Sequence, residues 1–170
     1  MIDLRRSGGQ IALLVLSLLG AAISIYLTSV HYENVPLVCS TSGFVDCARV
    51  LSSSYSVIPG TTIPITIPGL VWSIVSAALA FLALRVWPER RDLRIAQCVL
   101  ASLGMLSVFY LVYAEIVRLH TLCIWCTAVH VIILGIFIIT VIQLQQSESD
   151  FELGDVDVVD EPPVTAVREK

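Results

Sequence analysis

Charge is scarce in this sequence. Asp, Glu, Lys and Arg make up 14% of its 170 residues against 56% hydrophobic ones, and the mean hydropathy is +0.87. A soluble domain of this size has no way to bury so much apolar surface, so a water-soluble fold is excluded for most of the chain. The hydrocarbon core of a bilayer needs about 20 apolar residues per helix. Four charge-free stretches meet that need, at about 11–30, 68–84, 95–114 and 122–144. The first lacks the short apolar core and small-residue cleavage site of a signal peptide and runs on into Tyr26-Leu27-Thr28, so it reads as a retained helix. Pro68 suits the first turn of the second helix, where a missing N–H costs nothing.

Basic residues are also missing from two of the connections. Arg5 and Arg6 precede the first helix, and Arg85, Arg90, Arg91 and Arg94 lie between the second and third; residues 31–67 and 115–121 hold only Arg49 and Arg118. Short cytoplasmic loops collect Lys and Arg. The expected topology therefore has both termini and the middle loop in the cytoplasm, with the 31–67 loop and the last turn outside. From Ser147 onward the composition changes: eight acidic residues stand against Arg168 and Lys170, a net −6 of the chain's −4, which leaves +2 on the rest. Such a segment, with Pro162-Pro163 near its end, is expected to be disordered. The expected fold is an all-α integral membrane protein, a four-transmembrane-helix bundle over 10–145, with a cytoplasmic 1–9 and an acidic cytoplasmic tail over 146–170. Residues Cys47 to about Ile58 alternate apolar and small polar side chains, the pattern of a short interfacial helix lying as a lid over an apolar pocket.

The topology sorts the five cysteines. Cys98 falls near the cytoplasmic end of the third helix, where thiols stay reduced, while Cys39, Cys47, Cys123 and Cys126 fall on the side where disulfides persist. Eight positions along a continuous helix would separate Cys39 from Cys47 by about 12 Å, beyond the roughly 4.4–6.8 Å a disulfide tolerates. Pairing them requires the loop to fold back, and Ser40-Thr41-Ser42-Gly43 is a turn-prone stretch suited to it. Cys123-Ile124-Trp125-Cys126 opens the fourth helix with the spacing redox pairs favour. A helix N-terminus stabilises a thiolate, the attacking species, and Cys123 is the nearer of the two to that end. Two other readings of these residues stand beside a redox one. Both pairs are compatible with stabilising disulfides, and His120-x-x-Cys123-x-x-Cys126, completed by His31 or His130, has a zinc-ligand spacing.

Taken together, the segment Tyr26-Leu27-Thr28-Ser29-Val30-His31, the loop pair Cys39 and Cys47, the run Cys47-Ala48-Arg49-Val50-Leu51-Ser52-Ser53 and Cys123-Ile124-Trp125-Cys126 resemble the vitamin K epoxide reductase family over roughly residues 10–145. The resemblance implies a thiol–disulfide relay. A membrane quinone, of the ubiquinone, menaquinone or vitamin K type, oxidises Cys123/Cys126; that pair exchanges with Cys39/Cys47; the loop pair oxidises a DsbA-like thioredoxin-fold exported protein, each exchange passing through a mixed disulfide. Since the chain carries no fused thioredoxin-like domain, the partner is a separate protein, and the location implied is the bacterial cytoplasmic (inner) membrane. By the family pattern Cys126 faces the quinone, Cys123 faces the loop, and Ser53 matches a hydroxyl residue that hydrogen-bonds a quinone oxygen. Human-type members place a tyrosine where this chain has His130, a residue able to donate a hydrogen bond or a proton to a reduced quinone and equally well explained as a helix-packing histidine. Trp125 is the remaining candidate quinone contact, though its place suits an interfacial anchor. The same architecture run in the reducing direction would be an epoxide or quinone reductase, and a non-catalytic metal-binding or structural membrane protein is the alternative of another class.

Overall fold

The computed structural model describes residues 2–33, 36–39, 43–86 and 91–159, the side chains of 2–6 and 147–159 excepted. Its elements are α1 (Ile2–Glu33), α2 (Cys47–Leu51), a 3₁₀ turn at Ser54–Ser56, α3 (Thr66–Arg85), α4 (Arg91–Tyr113), a π-helical turn at Ala114–Leu119 and α5 (Ile124–Val159). No strand is present among the described residues; two isolated β-bridges, Val45 with Leu122 and Val57 with Pro64, are the extended pairings. Four helices are long and apolar enough to cross a membrane: Ser7–Glu33, Thr66–Arg85, Arg91–Leu119 and Ile124–Gln146.

Each span matches an expected one and overruns it. At the start of α3, Pro68 is the third residue and lies in the first turn, as expected, among the N–H groups that have no helical partner. The third span does not stop at Glu115; its path continues through the π turn to Leu119. Helical backbone also continues in α5 to Val159, into the acidic stretch expected to be disordered, because no proline or glycine cluster interrupts it before Pro162. Ser40, Thr41 and Ser42, the expected fold-back of the cysteine loop, lie outside the described residues, as do Arg90 and the last part of the tail.

Around a core of Leu13, Ala80, Ala101 and Ile136, the bundle turns many small residues inward and many large ones outward, as expected where lipid is as apolar as leucine and only close contact or hydrogen bonding draws helices together. Leu106 (70% exposed), Phe109 (65%) and Val131 (63%) face out. Inside lie Ser17, Ser24, Ser73, Ser76, Ala80, Ala83 and Ala101. Helix α1 runs antiparallel to α3: the Ser17 hydroxyl donates to Ser76 (3.0 Å) near one end, and Thr28 meets Thr66 (2.8 Å) at the other. The Trp72 indole N–H donates to the Leu100 carbonyl (2.9 Å), laying its ring across α4 at Gly104, where a Cβ would stand 2.7 Å from a ring carbon.

Polar side chains inside a membrane must satisfy one another. Near the end of the bundle that holds the α3–α4 connection, buried Gln10, Gln97 and Gln143 form such a group. Gln97 Nε2 donates to Gln10 (2.9 Å), Gln10 donates to Gln143, and Arg94 reaches the Gln143 carbonyl (3.3 Å). The opposite end holds the 31–67 loop and the α4–α5 turn. Gly104→Leu should lower the stability of the folded protein by about 1–3 kcal/mol through overpacking against Trp72, measurable as a lower midpoint of thermal unfolding in detergent; an unchanged midpoint would mean that the ring is free to move aside.

Candidate active site

Residues 43–46 are held to the α4–α5 turn by main-chain bonds. The Leu122 N–H donates to the Phe44 carbonyl (2.9 Å), the Asp46 N–H to the Leu122 carbonyl (3.1 Å), and the Thr121 hydroxyl also donates to Phe44 (3.2 Å). This short parallel pairing sets where α2 begins. Asp46 caps α2, its carboxylate accepting the Arg49 N–H at 3.0 Å. The first residue of α2 is Cys47, which the clamp thereby delivers next to Cys123. Both are fully buried, in one cluster with Val50.

Cys47 is disulfide-bonded to Cys39, with a Cα–Cα distance of 6.2 Å, so the loop folds back as disulfide geometry requires. The strand leading into Cys39 is anchored at Val38. Its N–H donates to the Tyr26 hydroxyl (3.0 Å) and its carbonyl accepts the Trp125 indole N–H (2.9 Å), while the Tyr26 and Trp125 rings meet at 5.0 Å. Trp125 thus binds the loop to the bundle.

Cys123 occupies the N-cap of α5. Its carbonyl accepts the first helical N–H, from Thr127 (2.8 Å), and its sulfur accepts the N–H of Cys126 (3.3 Å), the position a capping serine or aspartate oxygen takes. A hydrogen bond from the Cys126 thiol, joined by the N–H groups of Cys126 and Trp125, holds Cys123 below the usual thiol range; burial and the nearby Glu115 act the other way. The chain therefore favours the thiolate on Cys123, the nucleophilic form. Cys126, one turn further along, opens onto a cleft.

That cleft is almost wholly apolar, walled by residues such as Leu27, Val50, Leu51, Ile65 and Leu111, and roofed by Tyr55 and Ser56 of the 3₁₀ turn. Its polar lining groups are His31, Tyr55, Ser56, Thr66, Glu115 and Cys126. The roof is fastened by Arg118, whose Nε–H donates to the Tyr55 hydroxyl at 2.8 Å. The lid expected from Cys47 to Ile58 is therefore present, as α2 followed by the 3₁₀ turn.

The four cysteines of interest converge at this end of the bundle, and Cys98 lies apart in α4 as a free thiol. Ser53, Trp125 and His130 are not among the cleft's lining residues. The Ser53 hydroxyl donates to the Val50 carbonyl (2.7 Å), Trp125 holds the loop, and His130 is buried deeper along α5. No three His, Cys, Asp or Glu side chains converge as a metal site among the described residues, so the spacing of His120, Cys123 and Cys126 is not realised as a ligand set there. Unforeseen from the sequence were the Asp46 cap, the Tyr26 anchor and, above all, Glu115. The last had a signal: an acidic residue adjoining a long apolar run with helix continuing past it is an intramembrane charge, which calls for a partner.

The pattern of the Vitamin K epoxide reductase family matches residues 11–141. The chain belongs to that family. Membership makes it an oxidoreductase, and the disulfide of Cys39 with Cys47 accords with it. A comparison with curated proteins returns no match.

Replacing Cys126 by alanine removes the largest contribution holding Cys123 down. The midpoint of Cys123 alkylation by iodoacetamide should then rise, by on the order of one pH unit, equivalent to about 1.4 kcal/mol. Mass spectrometry of the Cys123 peptide across pH reads this, and an unmoved midpoint would show that the backbone N–H groups alone set its reactivity.

Proposed function

We propose that this protein is a quinone-dependent thiol oxidase that makes disulfides for exported proteins. The observation that carries the reading is the burial of Cys47 and Cys123 in a single cluster, with the disulfide of Cys39 at the loop side and Cys126 opening to the apolar cleft. Two electrons have to travel from a partner in water to an acceptor in lipid, and two cysteine pairs at different depths carry them in steps.

The steps balance as follows. A reduced thioredoxin-fold partner gives two electrons to the Cys39–Cys47 disulfide, leaving the partner oxidised and the loop as a dithiol. The loop dithiol reduces a Cys123–Cys126 disulfide through a mixed disulfide, Cys47 and Cys123 being the facing pair. The reduced inner pair then passes two electrons and two protons to a quinone, giving quinol and restoring the inner disulfide. The Cys123 thiolate, stabilised at the N-cap, suits both attack and departure in exchange.

The lining of the cleft suits a quinone head group: apolar walls, a few polar groups for two carbonyl oxygens, and the Cys126 thiol at one side. Within it Tyr55, Ser56 and Thr66 would orient the ring, and the tied-down roof keeps water from the thiols. Ser53, His130 and Trp125 would act at one remove, by shaping the lid, the helix and the loop. The arginine pattern supports an orientation with the cysteines on the extracytoplasmic side and both termini inside, and the family resemblance supports a bacterial cytoplasmic membrane.

Purified protein should oxidise a reduced DsbA-like partner only when quinone is supplied, with quinol formed one for one. Partner oxidation at the same rate without quinone would sink the proposal, and quinol-driven reduction of the partner would assign the opposite direction. Cys126→Ala should remain folded, lose turnover and accumulate a Cys123 disulfide to Cys39 or Cys47, seen as a shifted band or crosslinked peptide after alkylation.

A further inference from the structure

Glu115 is the one acidic side chain lining the cleft, and it is 4% exposed. Its oxygen Oε2 has no hydrogen-bond partner among the described residues. The carboxyl group interacts with the Cys126 thiol and the Cys123 N–H, so it borders both reactive cysteines. Leaving a carboxylate oxygen unpaired inside a membrane bundle costs several kcal/mol or more.

The local backbone is also built around this residue. The Glu115 carbonyl accepts the N–H of His120, five residues on, closing the π turn, and the N–H of Thr121 (3.1 Å). His120 takes a left-handed conformation, φ 52°, to make the reversal. A single widened turn of this kind re-aims side chains without ending the helix and recurs at functional sites. Here it points Glu115 back across the bundle at the start of α5.

We propose that Glu115 is the proton carrier of the inner site, a reading that rests on the quinone-linked function above. As the inner dithiol is oxidised, the carboxylate takes the Cys126 proton while that sulfur bonds to Cys123. It then passes that proton through Oε2 to a quinone oxygen, ending as it began. The balance is that of the whole step: quinone, the Cys126 thiol, the Cys123 thiolate and one proton from water give quinol and one disulfide, the Cys126 proton being the one routed through Glu115. The other titratable or charged groups facing this space are His31 at the end of α1, Tyr55 and Arg118 at the roof, and the two cysteines. Of these, Glu115 alone borders both sulfurs and the cleft.

The test uses the full-length protein in detergent with Glu115→Gln and Glu115→Asp. Single-turnover oxidation of the reduced inner pair by ubiquinone should slow by about 10²-fold or more in Glu115→Gln. Quinone affinity, read by quenching of Trp fluorescence, should stay within about threefold, and Glu115→Asp should recover part of the rate. Without quinone, the alkylation midpoint of Cys123 should fall in Glu115→Gln, because a negative charge beside the thiolate has gone. Thiol exchange between the loop pair and a reduced partner, which needs no quinone, should be unchanged. A wild-type oxidation rate in Glu115→Gln, or a loss confined to quinone affinity, would overturn the proposal and leave the oxidase reading intact. If wild type itself forms no Cys123–Cys126 disulfide on quinone addition, it is the oxidase reading that fails. Should Glu115→Gln not fold, Glu115→Asp decides: an unchanged rate and pH profile would overturn the proposal.

Discussion

The clamp between residues 43–46 and the α4–α5 turn is the contact on which the site depends. It consists of a few main-chain hydrogen bonds between Phe44, Asp46 and Leu122, with the Thr121 hydroxyl added. A disulfide exchange needs its sulfurs to meet in line, and these two cysteines come from segments 76 positions apart, Cys47 and Cys123. Main-chain pairing is indifferent to redox state, so under the proposed relay it would hold the loop while the disulfides exchange. The caps at either side finish the alignment: Asp46 starts α2 at Cys47, and Cys123 starts α5 with its own sulfur. Where a side-chain cap normally serves a helix, here the helix serves the cap, because its unpaired N–H groups stabilise negative charge on sulfur.

The membrane imposes the second constraint. Lipid supplies no water to satisfy polar groups, so polar side chains in the spans pair with one another, serine with serine between α1 and α3 and glutamines near the far end, where only the Gln143 Nε2 is left without a partner among the described residues. Against that background Glu115 stands out, since one of its oxygens is buried without a partner. Many large apolar residues go outward and many small ones inward, which brings the helices close enough for these short hydrogen bonds to form.

Much of this architecture was legible in the sequence because hydropathy over 20-residue windows is a strong, local signal. The four spans, the loop between the first two, the short helix beginning at Cys47 and the closeness of Cys123 to a helix start were all readable that way. Helix ends were less so. The charges used as boundaries, Glu115 above all, do not stop a helix when a neighbouring element buries them, and the acidic run after Ser147 does not by itself unwind one. The expected contacts of Ser53, Trp125 and His130 came from family pattern, and their side chains engage the Val50 carbonyl, the Val38 carbonyl and the bundle interior respectively. A pattern of residue types carries no information about which way a hydroxyl or an indole turns.

Composition and spacing alone determined that the chain lives in a membrane, crosses it four times, and carries four of its cysteines as a loop pair and a helix-start pair. Those properties are sums over neighbouring residues. Tertiary structure decided that Cys47 meets Cys123, that Tyr55 and Ser56 rather than Ser53 roof the cleft, and that a boundary glutamate is an interior one. Each of these joins segments far apart in the chain through a few directional hydrogen bonds and one widened helical turn. No local preference encodes them; they exist only once the helices have packed.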